Sequence, residues 1–268
     1  MVNLANVLTR DGCGLRYVDS GGSGRAIVLT HGAGADHHTF DQQFVSLVAG
    51  GQRVVVWDMR LHGESAPSDV PFTKASALGD LAALIAHLGL IRPVIAGHSL
   101  GGNLAQALVR GDPHRFAGII VMDSTWNSGP LTRTERLLLR LAAPSLALIP
   151  ARSLPRLMAR ASAVTPAARD DATRAFSQLS KRQFIEVWRA TVAFLEPDPT
   201  YRTPIPLCLV RGAEDRTGNI ATAMPLWAAT EGVIEHVVPG AGHLVTQDAP
   251  ELATAIIREF LDDLSPEA

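Results

Sequence analysis

Cysteine is nearly missing from this 268-residue chain. Only Cys13 and Cys208 occur, about two hundred positions apart, with no CxxC and no Cys/His cluster. That excludes a disulfide framework and gives no support to a cysteine-built zinc site. Long apolar runs are lacking too. The most extended, "LLLRLAAPSLALIP" at 137–150, is broken by Arg140 and Pro144 and is short for a membrane span. Neither sign of charge dominates, and a formal net charge of -2 removes any global reason to expect nucleic-acid binding. The first residues have no basic start followed by an apolar run, so a secretory signal is not expected. Two free thiols and a cytoplasmic setting are the economical expectation. No internal repeat or low-complexity tract stands out.

What is present is alternation. "AIVLTHG" (26–32), "RVVVWDM" (53–59), "PVIAGHS" (93–99), "FAGIIVMDS" (116–124), "PLCLVRG" (206–212) and "IEHVVPG" (234–240) read as strands. Several are apolar almost throughout, as strands covered on both faces of a parallel sheet should be. Helical patterns lie between them, including "KASALGDLAALIAHLGL", with Leu78, Leu81, Leu84, Ile85 and Leu88 at helical spacing. The opening "NVLTRDGCGLRYVDSG" reads as a hairpin turning at Asp11-Gly12, which adds an antiparallel edge. The expected fold class is therefore α/β: a doubly wound, mostly parallel, eight-stranded sheet with helices on both faces.

The alternation stops after Asp123 and resumes near Pro204. Residues 125–202 read as several helices, one starting with Thr165 as N-cap and Pro166 at its first position. This stretch carries 12 Lys and Arg against 6 Asp and Glu, while the rest of the chain is net acidic. The expected organisation is a core of residues 1–124 and 203–268, with a helical cap inserted at 125–202.

Ligands of open α/β sheets bind at the carboxyl ends of the strands, so residues just past each strand come first. Ser99 ends one strand and opens a helix in "GHSLG". A sharp strand-to-helix turn needs tiny neighbours, which Gly97 and Gly101 supply, and the helix N-terminus favours a developing negative charge. A serine hydroxyl needs a positioned base. Of nine histidines, His87, His114 and His236 read as structural, and His37 and His38 as solvated loop residues. His98 should point away from the serine and pack. His243, in a glycine loop before the last helix, is the candidate base. A carboxylate must fix its tautomer. Asp215, past a strand in "GAEDRTG", is the first choice, with Glu214 a loop charge. Asp123, which also follows a strand, is the rival.

The motifs "THGAGADHHTF", "DMRLHGES", "GHSLGG", "GAEDRTG" and "GAGH" occur in an order that resembles an α/β-hydrolase of the subgroup with a helical cap. The resemblance implies Ser99 as nucleophile, Asp215 as acid and His243 as base. It also implies an oxyanion hole formed by the backbone N–H groups of Ala33 and Leu100. Asp58, Arg60, Gly63 and Ser65 match a family turn that is mainly structural, and Leu61 stands where relatives often have glycine.

Serine rather than aspartate at the nucleophile position argues against epoxide hydrolase and haloalkane dehalogenase routes. Carboxylic ester hydrolysis through an acyl-enzyme is the leading expectation, without cofactor or metal. Lactone, thioester and carbon–carbon hydrolysis and cofactor-free perhydrolysis are variants on the same residues. A ligand receptor that kept the fold is the alternative of another class. The expected partner is a small ester or lactone, with no nucleic acid and no membrane. Arg152, Arg156 and Arg160 recur every four residues; they read as a solvated helix face, against a cationic rim for anionic substrates. Trp126 and Trp188 read as core, against a place in the pocket lining.

Overall fold

A computed structural model describes residues 2–264. Its eight strands are β1 (Asn6–Arg10), β2 (Cys13–Asp19), β3 (Ala26–Thr30), β4 (Arg53–Trp57), β5 (Val94–His98), β6 (Gly118–Met122), β7 (Leu207–Gly212) and β8 (Glu235–Val238). They form one sheet in the order β1-β2-β4-β3-β5-β6-β7-β8. β1 and β2 form the expected hairpin, with Asp11 and Gly12 both at positive φ in the turn, and β2 runs antiparallel to β4. Every later pairing is parallel. The sequence reading of an eight-stranded, mostly parallel sheet holds, with strand ends trimmed by a residue or two.

All five residues of β3, β5 and β6 are buried, which is why these strands read as unbroken apolar runs. Alternate side chains enter opposite cores. Val28, Val55, Ile95, Ile119, Val121 and Leu209 pack on one face, beneath α2 (Lys74–His87), α3 (Leu100–Gly111) and α8 (Ile220–Glu231). Ile27, Leu29, Val54, Val56, Ile120 and Val210 pack on the other, beneath α1 (Asp41–Ala49) and α10 (Pro250–Asp263). One residue of register shift would exchange these two sets, so the pattern fixes the pairing.

Between β6 and β7 the chain inserts four helices: α4 (Arg133–Leu148), α5 (Leu154–Ser162), α6 (Pro166–Phe176) and α7 (Lys181–Val192). α6 begins as expected, with the Thr165 hydroxyl accepting from the Ala168 N–H and Pro166 at the first position. A four-residue helix, α9 (Val245–Asp248), precedes α10. Among the described residues no helix is long and apolar enough to cross a membrane.

Chain order reverses at β3: β4 lies on one side of it and β5 on the other. At such a switch point the loops leaving the two strands diverge and open a crevice at their carboxyl ends. Residues 31–36 leave β3 there and Ser99 leaves β5.

Candidate active site

Ser99 has φ 51° and ψ -116°, a conformation that L-residues rarely adopt. The turn survives because nothing crowds it. A Cβ on Gly97 would fall 2.1 Å from the Gly101 backbone, and one on Gly101 would fall 2.1 Å from the Thr30 carbonyl oxygen. The glycine fence thus lets the first turn of α3 settle directly onto the ends of β5 and β3. The Ser99 N–H donates to the Met122 carbonyl at 2.9 Å and Ser124 Oγ donates to the Ser99 carbonyl at 2.7 Å, tying the turn to β6 on both sides. Leu100 is the first residue of α3, and Ala33 faces the same crevice as Ser99.

His243 Nε2 lies 3.0 Å from Ser99 Oγ, and His243 Nδ1 lies 3.0 Å from Asp215 Oδ2. With Nδ1–H donating to the carboxylate, Nε2 is free to accept the serine proton. Asp215 Oδ1 accepts the Thr217 N–H at 2.7 Å, which fixes the carboxylate's orientation. Burial opposes charge on Asp215, but His243 and the Thr217 N–H outweigh it and bring its pKa down to about 2.

The loop that carries His243 is pinned at three points. Gly242 N–H donates to Asp248 at 2.9 Å, Leu244 N–H to the Ser162 carbonyl at 3.0 Å, and His98 Nε2–H to the His243 carbonyl at 2.6 Å. His98 packs against His243, ring centroids 4.8 Å apart, and brackets the loop that carries it. Its buried ring has a pKa lowered to about 3 by burial and by neighbouring His243.

Asp123 ends β6 beside this group without joining it. Its Oδ1 accepts the Gly212 N–H at 2.8 Å. Burial first, and the Asp215 charge second, push its pKa well above the usual carboxylate range. Donor atoms of Asp123, Asp215 and His243 lie within 4.8 Å of one another, close enough to share a cation. The two His243 ring nitrogens are already taken up by Asp215 and Ser99.

Three histidine environments were illegible in the sequence. His37 is not a solvated loop residue: it is buried, with Nδ1 3.0 Å from both Asp58 oxygens and its N–H donating to Asp58 at 2.7 Å. His62 accepts the Gly34 N–H on Nε2, and His31 accepts the Met59 N–H on Nε2, each at 3.0 Å. These rings brace the loop that presents Ala33. Arg60 and Asp80 form a buried pair at 2.6 Å, in keeping with a structural role for that turn. Leu61 has φ 67°, the backbone reason a glycine suits its position.

The inserted helices roof the crevice, and the cleft over Ser99 has two arms. One, about 450 Å³, runs past His243, Gly242, Met158, Ala163 and Phe176. The other, about 320 Å³, runs past Asn103, Leu139, Ala142, Val192, Leu195 and Ile220. Ala33, Ser99, Trp188 and Thr217 line both. Trp126 is core, stacked on Trp227 at 5.8 Å, whereas Trp188 lines the cleft, the alternative to core that the sequence left open. Of Arg152, Arg156 and Arg160 only Arg160 reaches the cleft, where Arg169 and Arg216 join it.

A model of the alpha/beta hydrolase family matches residues 27–255. A non-heme haloperoxidase of Rhodococcus erythropolis is 37% identical over 117 residues, 43% of this chain and 42% of that protein, so the aligned stretch spans less than half of that relative. A malate-bound thermophilic esterase from Thermogutta terrifontis is similar in structure, with 27% identity, a TM-score of 0.75 and 95% coverage of both chains. The enol-lactonase from Burkholderia xenovorans LB400 shares the fold at 20% identity, with a TM-score of 0.80 over 96% of this chain and all of that one. A family match running from the first parallel strand to the last helix, over a sheet of this topology, means that the chain belongs to the alpha/beta hydrolase family.

Proposed function

We propose that the protein is a serine hydrolase that cleaves carboxylic esters through an acyl-enzyme on Ser99. One observation carries this reading: Ser99 Oγ, His243 and Asp215 stand in an unbroken line of two 3.0 Å contacts at the switch point of the sheet. His243 Nε2 takes the Ser99 proton as Oγ attacks the ester carbonyl carbon. Asp215, ionised far below neutrality, stabilises the imidazolium. The tetrahedral oxyanion receives the N–H groups of Ala33 and Leu100. The first amides of a helix have no carbonyl partner within it, so Leu100 at the start of α3 can offer its N–H to a substrate. The carbon–oxygen bond to the alcohol then breaks, with the His243 proton going to the leaving oxygen. Water, deprotonated by His243, attacks the acyl-enzyme and frees the acid. Residues 125–202 act as the cap over this chemistry, residues 1–124 and 203–268 as the core, and no metal or cofactor takes part.

The test pairs covalent labelling with turnover. A fluorophosphonate should add one adduct mass to the intact wild-type chain and none to Ser99→Ala. A panel of activated esters and lactones should be turned over repeatedly by wild type and not by the variant. A single stoichiometric release without turnover would favour a ligand receptor instead.

Perhydrolysis is a second reading, supported by the haloperoxidase name of the Rhodococcus relative. Hydrogen peroxide would replace water on the acyl-enzyme and release a peracid, which oxidises bromide. Bromination that requires both peroxide and a short carboxylic acid, and is lost in Ser99→Ala, is its signature.

A further inference from the structure

The two arms of the cleft differ in charge as well as in shape, and their positions relative to His243 are not equivalent. Resting on the serine hydrolase reading, we infer that the substrate is an ester of an apolar acid with an anionic leaving group, the two halves sorted by the arms on either side of Trp188.

The direction follows from the proton. The leaving oxygen must receive it from His243 Nε2, so the leaving group has to lie on the histidine's side of Ser99. His243 lines the 450 Å³ arm and not the other. That arm carries Arg160, Arg169 and Arg216 against one carboxylate, Glu214, whose oxygen lies 3.5 Å from Arg216. Arg169 is steadied by donating from Nε to the Ala163 carbonyl at 2.8 Å. A surplus of cations at a cleft mouth draws anions in and orients them.

The acyl arm is the reverse. Leucine, valine, isoleucine, alanine and tryptophan supply half of its lining residues, beside two asparagines and three threonines, and among the described residues its one charged group is Glu135. The Glu135 carboxylate is held ionised by the Thr132 hydroxyl and N–H and by Asn219, and its pKa is lowered. With no cation among the described lining residues to offset it, this arm disfavours a charged acyl chain and accepts an apolar one. Trp188, lining both arms, is the partition.

Three esters test this: 3-(butyryloxy)benzoate, its near-isosteric neutral benzamide, and phenyl hydrogen succinate, which moves the carboxylate to the acyl side. At low salt kcat/KM for the benzoate should exceed that for the benzamide by about 10-fold, with phenyl succinate slowest, and the preference should shrink toward unity near about 0.5 M salt. Arg160→Glu, an exposed change on α5, should lower the benzoate-to-benzamide ratio several-fold. 3-(Butyryloxy)phenyl phosphate separates the sources of the negative charge: a rate above the benzoate's assigns a phosphate, and one between the benzoate's and the benzamide's assigns a carboxylate. Equal rates for benzoate and benzamide at low salt, or a preference for phenyl succinate, would overturn the division of the cleft and leave the hydrolase reading standing. Turnover of none of the esters, with no fluorophosphonate adduct, would overturn both.

Discussion

Asp123 and Asp215 follow neighbouring strands with carboxylate oxygens within 4.8 Å of each other, yet their pKa values are displaced in opposite directions. Asp215 meets His243 Nδ1 and has a pKa brought down to about 2. Asp123 receives a backbone N–H from Gly212 and has its pKa raised by burial and by the Asp215 charge. Two buried carboxylates this close do not both ionise readily, and the one with the histidine keeps the charge.

The two asparagine variants should therefore part widely. Asp215→Asn removes the charge that stabilises the imidazolium, and kcat should fall by roughly 10³–10⁴-fold. Asp123→Asn keeps the side chain's shape and its acceptor for the Gly212 N–H, without touching the contacts of His243, and kcat should stay within about 10-fold of wild type. Steady-state hydrolysis of one activated ester reads both. Equal losses would mean that Asp123 shares the acid's role.

The glycines around Ser99 are not interchangeable with the glycine at the far end of the same helix. A methyl group at Gly97 or Gly101 would meet fixed backbone at 2.1 Å, so each alanine variant should lose about 3 kcal/mol or more of stability, together with activity. Gly111, the last residue of α3, has no atom within 4 Å of its would-be Cβ and no positive φ. Gly111→Ala should be neutral to stabilising by up to about 1 kcal/mol. Urea denaturation of the three variants makes the comparison, and a tolerated Gly101→Ala would contradict the packing described at the turn.

Acid should weaken the fold before it touches Asp215. His62 and His98 are buried, each with a pKa lowered to about 3, chiefly by burial. The unfolded chain takes up these protons near pH 6.5, whereas the folded chain resists until about pH 3. Their contribution is complete above about pH 6.5 and drains away as pH falls toward 3. Asp215 adds a second loss between about pH 3.8 and 2. Asp123 runs the other way, favouring the fold on the acid side of its raised pKa. Between pH 6 and 4 each of the two histidines should tilt the unfolding free energy by about 1.4 kcal/mol per pH unit. His62→Gln keeps an acceptor for the Gly34 N–H and removes one titration, so its slope should be shallower by about that amount. An unchanged slope would show that His62 does not titrate on unfolding.

The legible parts of this molecule are those whose signal is local. Strand apolarity gave six parallel strands within a residue or two of their observed ends. Asp11-Gly12 announced the hairpin, and "GHSLG" announced the turn at Ser99. Order along the chain also brought Asp215 and His243 forward, because residues past strand ends share one edge of the sheet. Asp123 satisfied the same rule and could be separated only by a distance across two strands. The buried histidines defeated the reading because their partners come from other loops: the Asp58 carboxylate for His37, the Met59 N–H for His31 and the Gly34 N–H for His62. Trp188 and Arg160 were ambiguous for a related reason. Helical spacing says that residues share a face, not what the face is turned toward.

The inserted helices are fastened to the loop that presents Ala33 through one buried charge. Asp36 is almost fully buried and accepts two hydrogen bonds from the Arg174 guanidinium on α6, at 2.7 and 2.9 Å, with a third from Gln178 at 3.2 Å. Its pKa is lowered because the Arg174 bonds outweigh the burial penalty. Two residues earlier, Gly34 gives Phe184 and Phe176 room to press on the same loop. Arg174→Ala would leave the Asp36 carboxylate buried without its counter-charge. Since Arg174 is 40% exposed and water can partly replace it, the expected cost is about 1–2 kcal/mol. Asp36→Asn should cost a comparable amount, because a neutral amide wastes the guanidinium. Once the amide is in place, removing Arg174 strands no charge, so the double variant should be more stable than the sum of the single losses predicts by about 1 kcal/mol. A thermodynamic cycle over the four proteins, read by chemical denaturation, measures that coupling. A value near zero would mean that the apolar press of Phe176 and Phe184, rather than the ion pair, holds the helices over Ser99.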